Sequence, residues 1–310
     1  MGIVVYVSSM RVLISGSSGF IGSALVDRLR SEGHDVIRLV RTEPVKEKGH
    51  LFWDPIHGIL DLEGKEPVDG VINLAGENIM GWWTEAKRQR IKESRVLGTR
   101  LLSQKISSLS PRPKFMLSSS AIGYYGDRGY DELSEESLKG SGFLADVCQE
   151  WEQATQEASE AGIRVVLLRM GVVLDPNGGI LLRLLPLFRT GLGGPVGMGK
   201  RLMSWITLQD LISVILFAMR DERVQGPVNA VSPQPVSNAQ FTQALAKALG
   251  RPALIPAPPF GLSAALGPVV REVLLSSQNA QPVKLLQAGF HFEHPEVQSA
   301  IHALLFPQTS

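Results

Sequence analysis

From residue 10 to residue 174 the chain alternates two hydrophobic rhythms. Short runs rich in β-branched residues give way to longer stretches whose apolar positions recur every three or four residues. MRVLISG (10–16) reads as a buried strand, and Ile21, Leu25 and Leu29 set the period of a helix that ends near Gly33. HDVIRLVR (34–41) is a second strand, VDGVINLAG (68–76) a third, and 82–106 a long helix with many charges and hence a wet face. PKFMLSSSAIGYYG (113–126) is a strand running into polar residues, 143–162 a helix and IRVVLLRMGVVL (163–174) a further strand. Strands that alternate with helices and are continuously apolar predict an α/β fold with a doubly wound parallel sheet, Rossmann-type, with helices on both faces.

Between the first strand and the first helix lies GSSGFIG, Gly16 to Gly22. In a βαβ unit these glycines have separate tasks. Gly16 permits the tight turn, Gly19 lets the backbone approach a pyrophosphate, and Gly22 lets the helix pack closely on the sheet. Ser17 and Ser18 add hydroxyls, Phe20 and Ile21 open the helix, and the positive end of its dipole faces the phosphates. Nucleotides in such sheets bind beyond the carboxyl ends of the strands. Arg41 ends the second strand, where an NAD site usually carries an acid; a guanidinium there favours NADP(H), with NAD less favoured. Leu74, Ala75, Gly76 and Glu77 follow the third strand, and Ser118–Ser120 the fourth, so they are expected to join the cofactor site.

Composition narrows the partners. The 310-residue chain is 44% hydrophobic and 20% charged, with a formal net charge of +1. No bulk charge draws it to nucleic acid or to an anionic membrane. No run approaches the roughly 20 apolar residues of a membrane span. One cysteine, Cys148, excludes an internal disulfide and points to a reduced, cytoplasmic compartment. On an amphipathic helix it reads as a small hydrophobe. The six histidines show no metal spacing, and no metal is expected. Residues 1–9, MGIVVYVSS, lack the basic region and length of a signal peptide; they read as a tail or a start placed one methionine too early.

The motifs GSSGFIG, NLAG (73–76), VLGTRLL (96–102), SSSA followed by YYG, LRMGVVL (168–174) and WITLQDL (205–211) together resemble the extended short-chain dehydrogenase/reductase superfamily, the NAD(P)-dependent epimerases and dehydratases. NLAGENI, WTEAKRQRIKESRVLGTRLL, GLGGPVGMGKRLMSWI and QPVKLLQAGFHFEHPEVQSAI resemble a subgroup labelled epimerase family protein, sugar-nucleotide epimerase or cell-division inhibitor, which has a small C-terminal domain. The resemblance spans about residues 10–305. It implies a cofactor domain of 10–174 plus 205–231, a substrate domain of 175–204 plus 232–305, and a possible homodimer.

It also implies a Ser, a Tyr and a Lys, the last two one helical turn apart, with the Tyr moving a proton at the substrate oxygen. Ser120 matches the serine. The helix at 143–162 offers only Phe143 or Leu144 for the Tyr and Val147 or Cys148 for the Lys. Tyr124 and Tyr125 are the candidate replacements, with Glu77, Asn78, Lys87 and Arg88 near; alternatively the tyrosines pack the wall and Glu77 caps the long helix. Arg169 could reach a substrate phosphate or be a paired structural arginine. GLGGPVGMG (191–199) is expected as a loop over the site, IPAPPFG (255–261) as a stiff crossover, and the apolar helices 208–219 and 262–276 as core or dimer packing. The expected function is an NADP(H)-dependent oxidoreductase or epimerase on an unknown small polar substrate. The alternatives are a non-catalytic NADP(H)-binding regulator or redox sensor, and a structural partner whose fold outlived its ligand.

Overall fold

Leu13 packs in one hydrophobic cluster while its neighbours Val12 and Ile14 pack in another, and both clusters are fully buried. That two-residue alternation places apolar side chains on both faces of one sheet, which is why the strands read as unbroken hydrophobic runs. The computed structural model describes residues 9–43, 49–253, 272 and 275–307; the expected crossover at 255–261, most of the expected helix at 262–276 and most of the N-terminal tail lie outside them.

The main sheet contains β1 (Arg11–Ser15), β2 (Asp35–Val40), β3 (His50–Asp54), β4 (Ile59–Leu60), β5 (Gly70–Asn73), β6 (Phe115–Ala121), β8 (Arg164–Met170) and β12 (Gly226–Ala230), in the order β12-β8-β6-β5-β1-β2-β3-β4. All pairs are parallel except β3 with β4. The connection reverses direction between β1 and β5, the switch point at which such sheets bind ligands. Helices α1 (Phe20–Ser31) and α6 (Leu208–Arg220) cover one face through Leu25, Leu29, Leu211 and Ile215. Helix α2 (Glu85–Ser107) and the short α4 (Gln156–Glu160) cover the other through Leu102, Ile106 and Ala158. Among the described residues no helix is long and apolar enough to cross a membrane.

Two expected elements are divided. The helix expected over 143–162 is α3 (Phe143–Gln153) followed by α4. Thr155 Oγ1 donates to the Glu152 carbonyl at 2.7 Å, and the Ala158 N–H donates to Ser103 Oγ at 2.8 Å, so side chains from within and across the packing take over helical partners. The strand expected over 163–174 leaves the sheet at Gly171. A Cβ there would lie 2.7 Å from the Ser204 carbonyl oxygen. Beyond it, β9 (Val172–Asp175) pairs with β11 (Trp205–Thr207), outside the main sheet. A third core cluster joins α5 (Gly179–Arg189) to α7 (Asn238–Leu249) and a C-terminal helix (Val297–Leu305) through Leu181, Phe188, Phe241 and Ile301.

Candidate active site

β1 ends at Ser15 and the chain turns at once. Gly16 has φ +69°, and a Cβ there would lie 2.5 Å from the backbone of Leu74. Only glycine meets both conditions. The Gly19 N–H donates to the Gly16 carbonyl at 3.0 Å, and a Cβ on Gly22 would lie 2.1 Å from that same oxygen. The start of α1 carries no side-chain cap and no acidic residue in its first turn. It is open to an anion, electrostatically and sterically.

The two serines divide the work differently from expectation. Ser18 and Gly19 are exposed. Ser17 is buried, and its hydroxyl accepts from Arg38 Nε at 3.0 Å while Arg38 Nη2 donates to the Ser17 carbonyl at 3.2 Å. Ser17 is therefore part of a clamp that fixes the turn from behind. Phe20 lies under Gly178, where a Cβ would be 2.1 Å from its ring, and Ile21 packs into the cluster of α1 and α6. Arg41 stands exposed just past β2.

Past β5 the Leu74 N–H donates to Ser15, and Ala75 packs on the cluster beneath α2. Gly76 lies against the Arg95 guanidinium, 3.2 Å from where its Cβ would be. Glu77 does not cap α2; Thr84 does, accepting from the Lys87 N–H. Glu77 instead pairs with Lys87 at 2.7 Å. That hydrogen bond, aided by the charges of Lys87, Arg90 and Arg41, outweighs burial and holds the Glu77 carboxyl below the usual carboxylate range. Gly16, Arg41, Leu74–Glu77 and Ser120 thus share the carboxyl edge of one parallel sheet.

A cavity of about 480 Å³ opens on this edge, lined by Ser120, Asn78, Arg95, Leu144, Val147 and Cys148 among others. Leu144 and Cys148, one helical turn apart, also pack on Gly123 in the turn after β6. Ser120 donates to Glu152 Oε1 at 2.7 Å. The Glu152 carboxylate is held in a fork by Arg169, with Nε and Nη2 each at 2.8 Å. Burial alone would lower the Arg169 guanidinium, but the bonds to Glu152 prevail and raise it. Arg169 is thus a paired structural arginine and does not reach the cavity.

The tyrosines sit where the packing alternative put them, behind the cavity. Neither Tyr124 nor Tyr125 lines the cavity. Tyr125 is fully buried; its hydroxyl donates to Asn229 Oδ1 at 2.7 Å and accepts from Arg169 Nη1 at 3.0 Å. Burial drives its acidity down, so its pKa rises against the pull of Arg169. The Tyr124 ring lies 3.6 Å from the Arg169 guanidinium carbon. Both form the wall behind Ser120. None of residues 191–199 lines the cavity either; the Val196 N–H is held by Asn238 Oδ1 on α7 at 2.6 Å, which ties that loop to the third cluster.

Sequence reasoning missed Arg38, Arg95, Trp151 and Glu152. A signal existed for Arg95. It lies four residues after Ile91 and three before Gly98, on the buried stripe of α2 that continues to Leu102. A charge on an apolar stripe marks a group with a task.

A parallel sheet whose order reverses at a glycine turn, with a serine strand beside it, defines a Rossmann-type protein of the short-chain dehydrogenase/reductase kind. The chain belongs to the NAD dependent epimerase/dehydratase family, whose model matches residues 12–230, and a domain of unknown function, DUF1731, matches residues 257–304. It is 42% identical over 291 residues to epimerase family protein Mb2239 of Mycobacterium bovis, covering 94% of this chain and 96% of that one. The crystal structure of human epimerase family protein SDR39U1 (isoform 2) with NADPH superposes with a TM-score of 0.88 at 33% identity, covering 95% of this chain and 99% of that one. That of a nucleoside-diphosphate sugar epimerase from Corynebacterium glutamicum gives 0.80 at 37% identity, over 96% of this chain and 58% of that one.

Proposed function

We infer that the chain is an NADP(H)-dependent oxidoreductase or epimerase that acts on a small substrate in the cavity beside Ser120, without a Tyr–Lys pair. The observation that carries this reading is the glycine cradle and the cavity on one sheet edge. The NADPH in the human relative's structure supports the phosphate form of the cofactor. Gly16, Ser18, Gly19 and Gly22 would hold the pyrophosphate at the start of α1, and Arg41 the 2′-phosphate. When bound, the cofactor would supply hydride chemistry at a substrate carbon. Ser120 would orient the substrate oxygen: its O–H, which rests on Glu152, can turn to donate a hydrogen bond to that oxygen, and the proton of the reduced product would come from water.

Titration with NADPH and NADH, followed by nicotinamide fluorescence, tests the cofactor. Arg41→Ala is expected to weaken NADPH about tenfold or more while NADH changes little. Equal losses would remove the basis for the phosphate assignment. Incubation of the NADPH complex with a panel of carbonyl compounds then tests turnover. Ser120→Ala is expected to lower it by about a hundredfold with NADPH affinity kept, and Tyr124→Phe to change it less than about twofold. A large loss in Tyr124→Phe would return the tyrosine to the chemistry.

A second reading, a non-catalytic NADP(H)-binding regulator, is favoured by one observation. Leu144 and Cys148 face the cavity where the family's acid and its cation are expected. Tight NADPH binding with no oxidation by any carbonyl would decide for it.

A further inference from the structure

The cavity beside Ser120 has a mainly apolar wall, with Met80, Ile122, Leu144, Trp151, Val173 and Ile180 in it, and three charged residues, Arg95, Arg183 and Glu272, also line it. Arg95 projects from the buried stripe of α2. Its Nη1 donates to the carbonyls of Glu77 at 3.1 Å and Ile91 at 3.0 Å, and its guanidinium carbon lies 5.1 Å from the centre of the Trp151 ring. Guanidinium has five N–H donors. Among the described residues Nε and Nη2 have no hydrogen-bond partner, and Arg95 forms no ion pair. The Glu77 carboxylate, which acts on Arg95 through charge, pairs with Lys87 at 2.7 Å.

The charged side chains that line the cavity, Arg95, Arg183 and Glu272, leave one positive charge in excess. Burial, reinforced by Glu152 and opposed by Arg95, pushes the Cys148 thiol up to about 12, so it stays neutral. The Glu272 carboxylate accepts the Leu144 N–H at 2.9 Å at the start of α3, and Arg183 adds a second cation at the exposed rim. Burial lowers the Arg95 guanidinium, though Cys148 and Glu77 act against that shift. A half-buried guanidinium that forms no ion pair and leaves donors unused beside an apolar wall is costly to keep. A purely structural arginine on this wall would use more of its fork on the protein. The half left over is directed at whatever fills the cavity.

We propose that Arg95 recognises a carboxylate on the substrate, so that the substrate is a small carboxylic acid with an apolar body, seated with its anionic end on Arg95 and its reacting carbon toward Ser120. This deepens the oxidoreductase reading and rests on it. The wall beside Arg95 is mainly apolar, with Asn78, Ser120 and Gln278 its uncharged polar side chains, and Arg95 offers one bidentate anion site, which fits an acid with an apolar body. The same fork could take a phosphate oxygen of the cofactor, and the test separates the two sources.

Benzoate and benzamide have the same shape and differ in charge. Calorimetric titration of each into the full-length protein, with and without saturating NADPH, is the experiment. The expected result is benzoate binding at least about tenfold tighter than benzamide. In Arg95→Gln the two should bind within about twofold of each other while NADPH affinity is kept, and Arg95→Lys should fall between. Equal binding of benzoate and benzamide to the unaltered protein would overturn the proposal without recourse to any variant. So would a loss of NADPH affinity in Arg95→Gln with the benzoate preference intact, since the anion would then be the cofactor's. Failure of NADPH to bind the unaltered protein would instead overturn the cofactor reading, and the cofactor-free titrations would still report on Arg95.

Discussion

Gly22→Ala is expected to abolish NADPH binding at concentrations that saturate the unaltered chain. Its Cβ would lie 2.1 Å from the Gly16 carbonyl oxygen and 2.9 Å from both the Gly16 carbonyl carbon and Ser17 Cα. All three are backbone atoms, so no flexible side chain can yield. Either α1 lifts from the turn or the turn moves, and in both cases the N–H groups at the helix start lose their aim. Two lost charge-assisted hydrogen bonds are worth about 3–6 kcal/mol, or a hundredfold and more in affinity. The rest of the sheet does not depend on that spacing, so circular dichroism should show a folded protein with a lowered melting temperature. Nicotinamide fluorescence checks the affinity. An unchanged NADPH dissociation constant in a folded Gly22→Ala protein would mean that the phosphates bind elsewhere and that the three glycines serve packing alone.

The second large effect is on stability. Removing the Glu152 carboxylate with Glu152→Ala leaves Arg169 buried without its fork partner, with its side chain 3% exposed. Breaking one half of a buried ion pair costs about 3–5 kcal/mol, because the remaining charge loses its counter-charge. Urea denaturation should show that loss as a lowered midpoint. Ser120 loses its acceptor at the same time, so turnover should fall further than stability explains. Replacing both partners with Glu152→Leu and Arg169→Met should recover much of the stability and none of the Ser120 positioning. A double variant no more stable than Glu152→Ala would mean that Arg169 matters chiefly through its bonds to Tyr125 and the Glu135 carbonyl.

The legible parts of this protein were those whose cause is local. The unbroken apolar run of Val12, Leu13 and Ile14 and the three-to-four spacing of Ile21, Leu25 and Leu29 specify strand and helix without reference to the rest of the chain. Gly16 announces a positive φ and Gly22 a close approach because no other residue allows them. The parallel order then brings Gly16, Arg41, Gly76 and Ser120 to one edge, since every βαβ crossover returns the chain in the same sense. That residues 143–148 hold neither a Tyr nor a Lys is likewise plain in the sequence.

What the tertiary structure decided is which polar groups meet across distant segments. Tyr125 and Arg169 look like free reagents in a linear reading. They are spent on one another, on Asn229 and on Glu152 because β6, β8, β12 and α3 converge there. Arg95 looks like one more charge on a wet helix, yet the packing of α2 against Trp151 turns it inward. The division of the 143–162 helix also depended on a partner, Ser103, more than fifty residues away. Local periodicity and backbone sterics are short-range and can be read along the chain. The pairing of buried charges depends on three-dimensional distance, and a low-dielectric interior enforces it only once the segments have been brought together.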